Sequence, residues 1–97
     1  MLTLQDYITG LTAFKQESGQ RLGISRLGVF GSVARQENTE DSDLDVVVEM
    51  EKPTLRRMYE IEESLGRMFK CKIDVMQMRP TLRPLLRRNI ERDAIYV

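Results

Sequence analysis

Between Leu27 and Val48 the chain reads LGVFGSVARQENTEDSDLDVVV, and no other stretch limits the possible folds as tightly. Leu27 to Phe30 is a short apolar run ended by Gly31 and Ser32. Ten residues later comes Asp43-Leu44-Asp45-Val46-Val47-Val48, in which acids and apolar residues alternate. Strand side chains alternate faces, so Asp43 and Asp45 leave such a strand on one side while Leu44, Val46 and Val48 enter a core on the other. A strand of this kind needs neighbours in a sheet and a layer packed on its apolar face.

The same spacing has chemical meaning. Gly31 lets the backbone turn tightly and come close to a phosphate, and Ser32 opens a short helix whose free N–H groups can hold one. Two carboxylates on one strand face repel each other unless a cation lies between them. Mg²⁺ suits the position, because it takes oxygen ligands and is usually held by one or two carboxylates together with substrate phosphates. Lys72-Ile73-Asp74-Val75-Met76 is a second alternating run, with Asp74 opposite in face to Ile73 and Val75. It fits a neighbouring strand. Each piece alone has a plainer reading: Gly-Ser as a simple turn, Asp-x-Asp as solvated acids, Asp74 as an edge charge. Their combination in this order points to a nucleotide and metal site.

Gly31-Ser32, ten residues, then Asp43-Leu44-Asp45 resembles the signature of the nucleotidyltransferase superfamily related to DNA polymerase beta. The fuller text, Gly31-Ser32-Val33-Ala34-Arg35 with Ser42-Asp43-Leu44-Asp45, is similar to its small prokaryotic branch, the minimal nucleotidyltransferases. That likeness runs from about Leu27 to the C-terminus. It implies a polymerase beta-like nucleotidyltransferase fold, and an antitoxin paired with a HEPN-domain toxin. It also implies that Gly31 and Ser32 hold the outer phosphates of ATP, that Asp43 and Asp45 hold Mg²⁺, and that Asp74 is a third carboxylate, which binds a second metal or accepts the proton of the attacking hydroxyl. Arg35 is a candidate for contact with phosphate or with the nearby carboxylates. Gln36 and Lys70 stand where relatives often carry Gly, and are expected to change local turns more than chemistry.

With 97 residues, 41% hydrophobic and 31% charged, a single α/β domain over residues 1–97 with a modest core is expected. The absence of His removes His-based general bases, Ser-His-Asp triads and His metal sites. Cys71, the single cysteine, excludes an internal disulfide and a Cys-rich zinc site and fits a reducing cytoplasm. Fifteen basic residues balance fifteen acidic ones, which argues against binding nucleic acid through overall charge. No stretch approaches a membrane-spanning length, and a cytoplasmic protein is expected. Gly23 and Gly28 have P-loop spacing, but Val29 stands where Lys is needed, and no dinucleotide fingerprint occurs.

Periodicity predicts a helix over Thr3 to Ser18, a strand over Ile24 to Phe30, a short helix over Ser32 to Gln36 and a strand over Asp43 to Met50. A helix capped by Thr54 then runs to about Phe69, with Leu55, Met58, Ile61, Leu65 and Met68 on its inner face. A strand over Ile73 to Met76 follows, then a helix from Thr81 to Glu91 with Leu82, Leu85, Leu86 and Ile90 inward, and a terminal strand over Ala94 to Val97. This order implies a mixed β-sheet covered by helices. Glu37 to Glu51 carries seven acids and no base, whereas Arg79, Arg83, Arg87, Arg88 and Arg92 make the last helix basic. A solvated helix face, a partner surface and arginines that help hold a triphosphate all fit.

Three functions remain open at this level. The first is an antitoxin enzyme that transfers AMP from ATP to a toxin hydroxyl, a Tyr by expectation. The second is a binding-only antitoxin that covers the toxin, and the third is a nucleotidyltransferase acting on a small molecule. Length disfavours the third, since no second domain is visible to hold such a substrate.

Overall fold

The computed structural model describes residues 1–97, and its four strands and four helices alternate along the chain. They are α1 (Leu4–Leu22), β1 (Ile24–Phe30), α2 (Gly31–Ala34), β2 (Leu44–Met50), α3 (Leu55–Phe69), β3 (Ile73–Gln77), α4 (Pro84–Asp93) and β4 (Ile95–Tyr96). The sheet order is β3-β2-β1-β4. β1 is antiparallel to β2 and β4, whereas β2 and β3 are parallel and joined by the crossover helix α3. The expected mixed sheet is therefore present.

The two sheet faces are buried differently. On one, Leu27, Val29, Leu44, Val46, Val48 and Ile73 meet Tyr7, Leu11 and Phe14 of α1 and Ile61, Leu65 and Phe69 of α3. Full burial of each such aliphatic side chain stabilises the fold by about 1.5–3 kcal/mol. On the other face Phe30, Val47 and Ile90 of α4 form a smaller core, flanked by Met76, Leu82, Leu86 and Tyr96. Asp45 and Asp74 belong to this second face by alternation with Val47 and Met76. So α4 covers part of the very face that carries the carboxylates.

Several boundaries differ from expectation. α1 opens on a capping box between Thr3 and Asp6, as its sequence suggests, but continues through Gly19 to Leu22 and stops at Gly23, whose φ is 72°. Burial of Leu22 offsets the roughly 1 kcal/mol cost of a mid-helix glycine. Thr54 caps α3 by accepting from the Arg57 amide at 3.1 Å. Leu55 and Met68, expected inside, are exposed. Leu55 lies in the first turn, about 120° around the helix from Ile61, and Met68 lies at the edge of α1 near Gly10. α4 begins at Pro84 rather than Thr81, and Leu85, expected inward, is 68% exposed because it stands about 100° away from the inward Leu86. Gln36 and Lys70 keep the left-handed turn a glycine would favour, with φ of 59° and 53°.

Candidate active site

Every element that carries a candidate residue delivers it to one end of the sheet. β1 ends there at Phe30, while β2 and β3 begin there. Their ladder starts with the Leu44 N–H donating to the Lys72 carbonyl at 2.9 Å. Asp45 is the register partner of Phe30 on one side and of Asp74 on the other. Neighbouring strands lie about 4.8 Å apart, so the two carboxylates stand side by side. Asp43 projects from the same side, two residues earlier. It is exposed, and its Oδ2 lies 4.0 Å from Lys72 Nζ.

Gly31 starts α2 with φ at 70°. A Cβ built on it would overlap Asp45 Oδ2 and lie 3.1 Å from Asp45 Cγ. Glycine is required here for its backbone angle and for the approach of the turn to the carboxylate. Phe30, at the N-cap, offers no side-chain acceptor, which leaves the first-turn amides around Ser32 for an incoming anion. The turn is closed by the Arg35 N–H to the Gly31 carbonyl at 3.1 Å and the Glu37 N–H to the Ser32 carbonyl at 2.8 Å. Beyond it, Ser42 accepts from the Thr39 N–H at 2.9 Å and pins the acidic turn that leads into β2.

Electrostatics at the site are strained. Partial burial, then Asp74, then Asp43, push the Asp45 carboxyl up to about 6, with Arg35 acting weakly in the opposite direction. A divalent cation beside Asp45 would relieve that repulsion. No three side chains of the His, Cys, Asp or Glu type are gathered closely enough to coordinate a metal by themselves. This arrangement suits Mg²⁺, whose remaining ligands are ordinarily substrate phosphates and water. The donor set is all oxygen, as that ion requires.

Arg35 is less free than its place in the sequence suggests. Its Nη1 donates to Asp93 Oδ2 at 2.7 Å and its Nε to Glu37 Oε2 at 3.1 Å. Asp93 is 6% exposed at its side chain and is gripped from the other side by Arg92 at 2.9 and 3.0 Å. These two arginines hold its carboxyl down at about 2. Asp93 lies 58 positions from Arg35, and no local pattern marks it. Lys72 was also missed as a neighbour of Asp43; only its place ahead of Ile73-Asp74 hinted at it. Arg79 and Arg83 precede α4, about 15 Å of helix from the site end. Two surface clefts, of 360 and 370 Å³, are lined by Lys15 to Glu51 residues and by Tyr59 to Ile73 residues, and neither takes in the three aspartates. Asp43 and Asp74 are exposed, and Asp45 is half-buried between them and the Gly31 turn.

The nucleotidyltransferase domain family matches residues 11–97, which include all of these positions. The chain belongs to that family. This nucleotidyltransferase domain is 38% identical, over its whole length and 98% of the relative's, to the protein adenylyltransferase MntA of Thermococcus cleftensis. A solved minimal nucleotidyltransferase superposes with a TM-score of 0.81 at 35% identity, covering 97% of this chain and 95% of that one. A toxin–antitoxin crystal structure with AMP-PNP shares the fold, with a TM-score of 0.66 at 15% identity over 84% of this chain and 70% of that one. The small mixed-sheet α/β fold is that of the minimal nucleotidyltransferases.

Proposed function

We propose that this nucleotidyltransferase is a protein adenylyltransferase of the antitoxin type, which transfers AMP from ATP to a hydroxyl, a Tyr, on a HEPN-domain toxin in the cytoplasm. The observation that carries the reading is the convergence of Gly31, Asp45 and Asp74: a glycine turn packed on one carboxylate that is itself in register with another. The adenylyltransferase name of the 38% identical relative and the nucleotide in a structure of the same fold support it.

In this reading the amides around Gly31 and Ser32 hold the outer phosphates, and Arg35, paired with Asp93 and Glu37, stands beside them. Asp43 and Asp45 would hold Mg²⁺. When bound, the ion orients the α-phosphate and offsets charge on the departing pyrophosphate. The acceptor oxygen forms a bond to the α-phosphorus as the bond to pyrophosphate breaks, and Asp74 takes the proton of the hydroxyl. No protein nucleophile is needed. The exposure of Asp43 and Asp74 fits an acceptor presented by another macromolecule.

The test is incubation of the toxin with this protein, ATP and Mg²⁺, followed by intact-mass and peptide analysis. The toxin should gain one or more AMP masses on a Tyr, and neutralisation should outlast removal of the antitoxin. The Asp43→Ala, Asp45→Ala double variant should dock but lose this lasting protection. If it neutralises as durably as wild type with the toxin unmodified, the protein is a binding-only antitoxin.

A further inference from the structure

We propose that Asp93, at the C-terminal end of α4, is a positioning residue for the nucleotide loop: it holds Arg35, and through Arg35 the α2 turn, against the carboxylate strand. This rests on the reading of Gly31 and Ser32 as the phosphate loop, which the closing experiment tests separately.

α2 has four residues, a single turn, and a helix so short does not hold itself together. Val33 and Ala34 tie it to the larger core, and Arg35 ties it to α4. Val33 is 2% exposed and enters the larger core on one side of the turn. On the other side Arg35 reaches across to Asp93 at 2.7 Å, a charge-assisted bond to a carboxylate almost wholly out of solvent. Its second partner, Glu37, is 66% exposed and belongs to the loop that needs fixing, so it cannot anchor that loop to the body of the protein. Asp93 can. Ile90, one turn earlier on α4, is fully buried against Phe30 and Val47, and the Ala94 N–H donates to the Ile90 carbonyl at 2.8 Å. The position of the carboxylate is therefore set by the sheet itself.

This also accounts for the covering of the carboxylate face by α4. The helix fills the lower part of that face and delivers its last residue to the rim of the site, where the turn bearing Gly31 requires a fixed point. Arg92 is the counterpart: 62% exposed, it balances charge on Asp93 and makes no hydrogen bond to the loop.

The experiment combines hydrogen exchange at the Ser32 to Arg35 amides, the Kd for Mg·ATP by calorimetry, and thermal melting. Asp93→Asn keeps the size and loses the charge. It should speed exchange at these amides and weaken Mg·ATP binding, each by about ten-fold, the scale of one hydrogen bond to a charged group. Asp93→Glu should recover part of both effects, and Arg92→Ala should change neither by more than about two-fold, as expected of an exposed pair. An Arg35→Ala, Asp93→Ala double variant should be no worse than Arg35→Ala alone. If Asp93→Asn lowers the melting temperature while exchange and Kd stay at wild-type values, Asp93 merely pins α4 and the proposal is overturned. Should Asp93→Ala fail to fold, the Asn and Glu variants decide the matter. A wild type that does not bind Mg·ATP defeats the phosphate-loop reading, while exchange still judges the clamp.

Discussion

Asp45 and Asp74 are direct neighbours across the parallel β2–β3 ladder, and Asp45 is the one half-buried at the foot of the Gly31 turn. Burial and the two flanking aspartates raise its carboxyl to about 6, so the folded protein holds that proton more tightly than the unfolded chain does. The stabilisation is complete below about pH 4 and is lost as pH rises through about 6. Asp45→Asn, neutral at every pH, should retain it. At pH 7.5 the variant should be more stable than wild type, by about 1 kcal/mol once solvent screening of this partly exposed group is allowed for, and should melt at a higher temperature. Near pH 4 the two should coincide. Equal melting at both pH values would show that Asp45 carries no such strain.

Removal of the divalent ion should expose the same repulsion. ATP with Mg²⁺ is expected to raise the melting temperature more than ATP with EDTA, because ligands that bind only the folded state stabilise it by mass action. Asp45→Asn should reduce the gain. Identical stabilisation in EDTA is the outcome that removes the carboxylates from metal binding.

Gly31→Ala tests the turn. The new methyl would meet Asp45 in a backbone conformation with φ at 70°, and a loss of about 1–2 kcal/mol is expected from the angle alone. Mg·ATP affinity should fall further than this loss explains, since Asp45 must move. Calorimetry on the folded variant provides the check, and unchanged affinity would leave Gly31 as a plain turn.

Gln36 and Lys70 point the other way. Both sit in the left-handed region without being glycine. Gln36→Gly and Lys70→Gly should each stabilise by about 0.5–1 kcal/mol, the relief of strain exceeding the added entropy of the unfolded chain. Urea titration would reveal a shift to higher midpoint, and a shift to lower midpoint would mean that the turns are unstrained.

In α4, Ile90→Ala should cost about 2–4 kcal/mol and Leu85→Ala less than about 0.5 kcal/mol, since Ile90 is wholly buried and Leu85 stands in solvent. Comparable losses at the two positions would restore the inward placement of Leu85 that its spacing suggested.

The alternation of Asp43-Leu44-Asp45-Val46 and of Ile73-Asp74-Val75 was enough to put Asp45 and Asp74 on strands with their carboxylates facing away from the main core, and Asp43 just ahead of β2, because period two is a property of the extended backbone and needs no partner. Thr3 and Thr54 as caps, and Ile61, Leu65 and Ile90 as inward residues, were legible for the same local reason. Pairing is not local. That β2 and β3 are parallel and in a register that sets Asp45 beside Asp74, that Gly31 leans on Asp45, and that Asp93 reaches Arg35 from 58 residues away all depend on how the sheet and α4 close around one another. Leu55, Met68 and Leu85 mark the same limit from the other side. Hydrophobic spacing says which residues share a stripe, but where a helix overhangs its neighbours is decided only when the helices pack on the sheet, and there the last turn of burial is won or lost.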